Sequence, residues 1–253
     1  MSRARVASAM ILAAGLGTRI RAASGPLPKP LVAVAGRALI DYAIDTAADA
    51  GVERIVINTH YKAVAIEAHL AARRSALPRP ALETIHEPER LETGGGVRNA
   101  LPRLGEGPFL VLNSDSILGQ TKCRPLIRLA EAWDDETMDA LLLLCSLDRA
   151  SGYGGRGDFL MGDMAEVVQI KAAPLVRLPP NARTGPVFTG VQILHPRLFA
   201  DAPDGAYSLN HHYDEAIARG RLYGLLHDGE WFHVGSPQGL AEAESGLGNG
   251  CPS

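Results

Sequence analysis

At 253 residues the chain is long enough for a substantial core, arranged as one large α/β domain or two small ones. Its 46% apolar and 21% charged content is that of a soluble globular protein, and a net charge of −3 with no strongly basic block argues against a nucleic-acid-binding surface. The three cysteines, Cys123, Cys145 and Cys251, are odd in number and widely spaced, which argues against a disulfide framework and points to a reducing, cytoplasmic compartment; the histidines show no zinc spacing.

The N-terminus imitates a secretion signal, with Arg3 and Arg5 ahead of apolar residues to Ala14. The run is short, is broken by Gly15-Leu16-Gly17 and leads straight into Arg19, so it reads as a first strand, Ala9–Ala13. No stretch is long enough to span a membrane. The break is the most telling feature. Glycines let backbone N–H groups approach a phosphate, and N–H groups in a turn form an anion-binding concavity. Residues Leu12, Ala13, Ala14, Gly15, Gly17 and Thr18 form this turn, and Arg19 and Lys29 follow as cations able to neutralise a polyphosphate. Lysine occurs only at positions 29, 62, 122 and 171, and Lys29 sits between Pro28 and Pro30, so it is not casual surface charge. No Gly-Lys-Ser/Thr follows the glycines, and the third glycine of a dinucleotide fingerprint is missing, as is an acidic residue at the expected distance. Both commoner nucleotide sites are thereby disfavoured, and with them an NAD-dependent oxidoreductase.

Leu39, Ile40, Ala43, Ile44, Ala47 and Ala48 repeat at helical spacing, with Gly51 ending the helix. A strand at Arg54–Asn58, a helix at Tyr61–Arg73, a short strand at Ala81–Ile85, a helix at Gly95–Leu104 entered through glycines and a strand at Phe109–Leu112 follow. This β-α-β-α order implies a mostly parallel sheet with helices on both faces. Ligands in such sheets sit at the carboxyl ends of the strands, where both Gly15 and Asn113-Ser114-Asp115 fall. A carboxylate there suits a hard divalent cation beside phosphates. Beyond it lie a buried strand at Leu141–Leu144, with Cys145 in the core, and a loop at Ser151–Asp158. Strands are expected at Val167–Lys171 and Val187–Leu194, with a turn at Pro179-Pro180-Asn181 between them. A helix at Leu209–Arg219 and a strand at Trp231–Val234 come next. The last helix runs from Pro237 to about Ser245, with Ser236 as its cap. Adjacent His211 and His212 read as surface, because neighbours on a helix do not face each other. No linker is visible, so residues 1–245 are expected to form one domain and Gly246–Ser253 a disordered tail.

Leu12-Ala13-Ala14-Gly15-x-Gly17-Thr18-Arg19 followed by Pro28-Lys29-Pro30-Leu31 resembles the signature of sugar-1-phosphate nucleotidylyltransferases, and the two motifs stand at the spacing of that family. The resemblance spans the chain to residue 245 by motif order and is densest over residues 9–115. It implies an α/β fold, Rossmann-like, with a mostly parallel sheet and helices on both faces, of the nucleotide-diphospho-sugar transferase type. It implies catalysis by Arg19 on the departing phosphates, Lys29 on the α-phosphate and Asp115 through magnesium, with manganese as the alternative. Leu91-Glu92-Thr93-Gly94-Gly95-Gly96 resembles the N-acetylmuramate-1-phosphate uridylyltransferase branch and adds Thr93, Gly94 and Gly95 to the nucleotide site. Asn113, Arg156, Asp158, Lys171 and Gly190 fall where the family binds the sugar phosphate, with Lys171 a poor match because Ala172-Ala173 precede Pro174.

Trp231-Phe232-His233-Val234-Gly235-Ser236 departs from the family, which carries aspartate as second metal ligand where this chain has His233. Three readings stay open. His233 ligates a softer metal, or it contacts phosphate directly, or Asp115 alone holds magnesium with phosphate oxygens and water. The expected activity joins a nucleoside triphosphate, UTP first, to a sugar 1-phosphate, N-acetylmuramate 1-phosphate first, within cell-wall sugar recycling. Guanylyl transfer to mannose or heptose phosphate is the runner-up, and a non-catalytic nucleotide-sugar binding module is the rival of another class. The implied partners are small molecules, with neither nucleic acid nor membrane, and the protein is expected to be a monomer or small homo-oligomer.

Overall fold

The computed structural model describes residues 6–20, 25–119, 124–162 and 172–248. Lys171, the strand expected at Val167–Lys171, Cys123 and Cys251 lie outside the described residues. The strands are β1 (Ser8–Leu12), β2 (Ala33–Val34), β3 (Arg37–Ala38), β4 (Arg54–Thr59), β5 (Ala81–His86), β6 (Phe109–Asn113) and β7 (Ser116–Leu118) in the first half. The second half supplies β8 (Ala140–Cys145), β9 (Ala150–Ser151), β10 (Phe159–Met161), β11 (Ala173–Arg177), β12 (Val187–Leu194), β13 (Leu222–Leu226) and β14 (Trp231–His233). The helices are α1 (Leu39–Asp49), α2 (Ala63–Ala76), α3 (Glu92–Leu104), α4 (Pro125–Ala132), α5 (Asn210–Ala218) and α6 (Pro237–Gly248).

Among the described residues nine strands form the main sheet, in the order β10, β11, β13, β8, β12, β6, β1, β4, β5. It is mostly parallel but mixed. β1 pairs in parallel with β4 and β6, and β4 with β5, while β12 runs antiparallel between β6 and β8. Both faces are covered, which is why the central strands read as unbroken apolar runs rather than alternating ones. Ala9 and Ile11 of β1 join a core with Ile40 and Ile44 of α1, Ile66 and Leu70 of α2, and Leu126 and Leu129 of α4. Met10 points to the other face and joins Val97 and Ala100 of α3 and Tyr213 and Ala216 of α5. Among the described residues no helix is long and apolar enough to cross a membrane.

Several boundaries differ from the sequence reading for identifiable reasons. Helix α3 starts at Glu92 rather than Gly95, because the amides of Gly94 and Gly95 donate to the carbonyl of Tyr207 at 2.8 and 3.2 Å. A distant carbonyl thus satisfies donors that every helix start leaves free. Helix α2 starts at Ala63, after Lys62 adopts a left-handed conformation. Helix α6 does begin at Ser236 and Pro237, with Ser236 Oγ accepting from Gly239 N at 3.1 Å. It runs on to Gly248, so the first residues of the expected tail are helical, and 249–253 lie outside the described residues. His212 corrects the surface reading of the histidine pair: its side chain is fully buried, whereas His211 is exposed.

A second sheet places β14 antiparallel to β7 and parallel to β9. Below it a small core of Ile20, Val32, Val34, Leu39, Ile117, Phe232 and Val234 joins three stretches far apart in sequence. Ile20 directly follows Arg19 and Val32 lies three residues past Lys29, so this core holds the chain close to both cations.

Candidate active site

The carboxyl ends of β1, β4, β5 and β6 open into a cleft of about 400 Å³. Leu12, Ala13, Ala14, Gly15, Gly17, Thr18, Arg19, Lys29, Thr93, Asn113 and Asp115 line it, so the glycine turn, the basic loop and the Asn-Ser-Asp segment meet in one place. Gly17 is needed for this convergence. It sits at φ +60°, and a Cβ there would lie 2.7 Å from Lys29 Cβ. Only glycine gives both the left-handed turn and room for the lysine.

Lys29 Nζ donates to Asp115 Oδ2 at 2.5 Å, and both side chains are mostly buried. Burial pushes the Asp115 carboxyl up, but Lys29 and His233 beside it outweigh that and hold it below the usual carboxylate range. His233 reaches this neighbourhood through the pairing of β14 with β7, where it stands opposite Ser116, and Val234 N donates to the Asp115 carbonyl at 2.9 Å. Its ring packs on Gly235, itself part of the cleft wall. Burial lowers the His233 pKa, and Lys29 and Arg19 lower it further against the pull of Asp115, which favours the neutral imidazole.

Two buried polar residues that the sequence reading missed join the strand ends. Asn58, at the end of β4, accepts from Ala13 N at 2.8 Å and donates to Glu87 Oε1 at 2.8 Å. The other oxygen of Glu87, just past β5, accepts from Leu91 N at 3.3 Å. Both residues line the cleft, and with them Arg90 and Glu92. The signal for them was positional: each is the polar residue at the carboxyl end of a parallel strand, where ligands bind. Glu92 also holds φ at +59°, an uncommon conformation for a non-glycine residue.

Other expected residues are not brought into this cleft. Gly94 and Gly95 are buried against residues 205–207; a Cβ on Gly94 would meet the Tyr207 ring at 2.3 Å, and one on Gly95 the Gly205 carbonyl oxygen at 2.3 Å. Their amides are taken by Tyr207, so close packing, rather than an open ligand surface, accounts for these glycines. Arg156 is exposed and donates to the carbonyls of Pro179, Pro180 and Ala182, pinning that turn. Asp158 accepts from Phe188 N at 2.9 Å and from the Tyr153 hydroxyl at 3.3 Å. Gly190 lies under Asn113, close enough that a Cβ would stand 2.6 Å from its Nδ2.

Amide groups at a tight turn, two cations and an ionised carboxylate in one cleft can hold a polyphosphate and a hard cation together. Comparison with known proteins agrees with this chemistry. Residues 8–249 match the nucleotidyl transferase family. The chain belongs to that family. Among relatives of this nucleotidyl transferase, the N-acetylmuramate alpha-1-phosphate uridylyltransferase of Caulobacter vibrioides is 42% identical over 241 residues, covering 94% of this chain and 96% of the relative. Its counterpart from Neisseria meningitidis serogroup B is 32% identical over 242 residues, covering 94% and 96%. The solved UDP-glucose pyrophosphorylase from Acinetobacter baumannii superposes with a TM-score of 0.79 at 21% identity, covering 98% of this chain and 95% of that one, a likeness of fold.

Proposed function

We propose that this nucleotidyl transferase moves the uridylyl group of UTP to N-acetylmuramate 1-phosphate, forming UDP-N-acetylmuramate and pyrophosphate. The observation that carries the reading is the convergence of Arg19, Lys29 and Asp115 on one cleft at the carboxyl ends of the parallel strands. The choice of uridine and muramate is supported by two relatives of that activity over nearly the full chain.

The sugar-phosphate oxygen attacks the α-phosphorus, an O–P bond forms there, and the bond from the α-phosphorus to the bridging oxygen breaks to release pyrophosphate. The attacking phosphate is already ionised, so no protein base is required. Such transfer is mostly positioning and electrostatic stabilisation. The turn Ala13–Thr18 receives the triphosphate on backbone amides, Arg19 neutralises the departing β- and γ-phosphates, and Lys29 screens charge on the α-phosphate. The mostly buried, ionised Asp115 is a fitting oxygen donor for magnesium, which tolerates one carboxylate with phosphate oxygens and water. When bound, the ion supplies positive charge between the two substrates. His233 contributes nitrogen rather than oxygen, so we place it beside Asp115 as a neighbour and not as a magnesium ligand.

Pyrophosphate release across a matrix of nucleoside triphosphates and sugar 1-phosphates, with magnesium and manganese in parallel, tests the proposal. Turnover confined to UTP with N-acetylmuramate 1-phosphate is expected. Turnover with GTP and mannose or heptose phosphate would reassign the substrates, and silence with every pair would leave a nucleotide-sugar binding module.

A further inference from the structure

Away from the nucleotide cleft, the first turn of α5 gathers a second set of donor atoms. Glu215 sits one helical turn beyond both His211 and His212, and its long side chain meets both rings. One carboxylate oxygen lies 3.4 Å from His211 Nε2 and the other 3.5 Å from His212 Nδ1. One donor atom from each of the three side chains falls within 4.8 Å of the others. Donors bound at about 2.0–2.1 Å around a tetrahedral zinc ion stand roughly 3.3 Å apart, so each imidazole already stands near that spacing from one of the two carboxylate oxygens, and small side-chain rotations would draw the set onto one ion.

His212 is the unusual member. Its side chain is 0% exposed, yet Nδ1, facing Glu215, has no hydrogen-bond partner. A buried polar atom left unpaired is costly and calls for an explanation. The opposite nitrogen, Nε2, lies 3.1 Å from the Tyr207 hydroxyl. In the tautomer with Nε2–H donating to that oxygen, which a cation between Nδ1 and Glu215 would favour, Nδ1 presents its lone pair to the cluster. Metal-binding histidines are held in this way, with one nitrogen donating to a neighbour and the other facing the ion. The ring is wedged edge-on against Phe199, with ring centres 4.6 Å apart, which fixes its direction. His211 and Glu215 are 46% and 32% exposed, so the set is open to solvent on one side and leaves a coordination position for water.

The geometry points to a binding site for a zinc-class divalent cation formed by His211 Nε2, His212 Nδ1 and the Glu215 carboxylate, separate from the site that holds the phosphates. Two imidazoles and one carboxylate suit zinc, nickel or cobalt and do not suit magnesium. The segment it would brace lies behind the cleft: the Tyr207 carbonyl holds the amides of Gly94 and Gly95, and Leu209 N donates to Thr93 Oγ1 at 2.9 Å. All three ligands belong to α5, so an ion here stiffens its first turns, which directly follow the Tyr207 and Leu209 backbone that holds Gly94, Gly95 and Thr93.

The test is calorimetric titration of zinc chloride into chelator-stripped full-length protein without nucleotide, with thermal melting in parallel. Wild type is expected to bind one zinc ion and melt higher with it. His211→Ala and the near-isosteric Glu215→Gln, both on partly exposed positions, are expected to lose at least tenfold in affinity and most of the melting shift, while Asp115→Asn keeps both. Cobalt bound to wild type should show the visible bands of a tetrahedral nitrogen-containing site, absent in His211→Ala. Equal zinc affinity in wild type, His211→Ala and Glu215→Gln, loss of binding in Asp115→Asn alone, or no binding by wild type would each overturn the assignment. None of these outcomes depends on the substrates of the nucleotide cleft.

Discussion

Lys29 and Asp115 hold each other in a mostly buried ion pair, and both are also assigned to the substrates. Before the nucleotide arrives, Lys29 occupies the carboxylate that a metal ion would use. In the proposed reaction the α-phosphate would offer the lysine a second anion and free Asp115. Lys29→Ala is therefore expected to tighten manganese binding to the nucleotide-free protein while lowering turnover, as read by the loss of the free-ion electron paramagnetic resonance signal. Unchanged or weaker manganese binding would show that the pair does not compete with the ion. His233 carries the complementary prediction. His233→Asp places a second carboxylate beside Asp115 and is expected to lower the magnesium concentration for half-maximal activity; a requirement that stays the same or rises would count against a site held by one carboxylate. His233 was visible in the sequence as a departure, but its nearness to Asp115 was not, because that depends on β14 pairing with β7.

At the scale of elements, the junction of α3 with residues 205–209 shows how a motif is read correctly for presence and incompletely for cause. The triple glycine was legible as a helix entry beside the site. The reason for glycine at position 94 is the Tyr207 ring, which lies 113 positions along the chain. Gly94→Ala drives a Cβ into that ring, and overpacking of this kind costs about 1–3 kcal/mol. A lower denaturant midpoint of that size is expected, with nucleotide affinity falling only as far as Thr93 shifts. Full stability combined with lost nucleotide binding would instead put this glycine against the ligand. The strands fared unevenly: β10, β11 and β13 of the main sheet were not foreseen. β12 was read at its full extent, with Val, Phe, Ile and Leu at both ends of the run, whereas α3 and α2 begin where a distant carbonyl or a left-handed residue permits.

At the scale of the whole molecule, acid sensitivity follows from histidines folded in their neutral form. His227, at the end of β13, is fully buried, with Nε2 3.2 Å from the Glu230 carbonyl oxygen. Burial lowers its pKa most, opposed by the Glu230 hydrogen bond and Asp228, and aided by Arg128 and Arg149. His195 is shifted the same way by burial and Arg197. The unfolded chain binds protons more readily at these sites, so their contribution to stability is complete above the ordinary histidine pKa of about 6.5 and is lost as pH falls through the lower folded values. Denaturant midpoints should drop below that pH, and His227→Asn should flatten the drop. A profile with the same slope in both proteins would remove His227 as a cause.

The amino-acid sequence by itself determined the turn at Gly15–Gly17, the cations Arg19 and Lys29, the carboxylate Asp115 and the covered, mostly parallel sheet. These are local patterns: an apolar run buried on both faces, a glycine break, a charged residue at a strand end. Only the tertiary structure decided that Asn58 and Glu87 join the strand ends in a buried pair, that Arg156 pins a turn outside the cleft, and that His212 is buried facing Glu215. Those outcomes rest on contacts between residues distant in the chain, where packing and the need to satisfy buried polar groups prevail over local propensity.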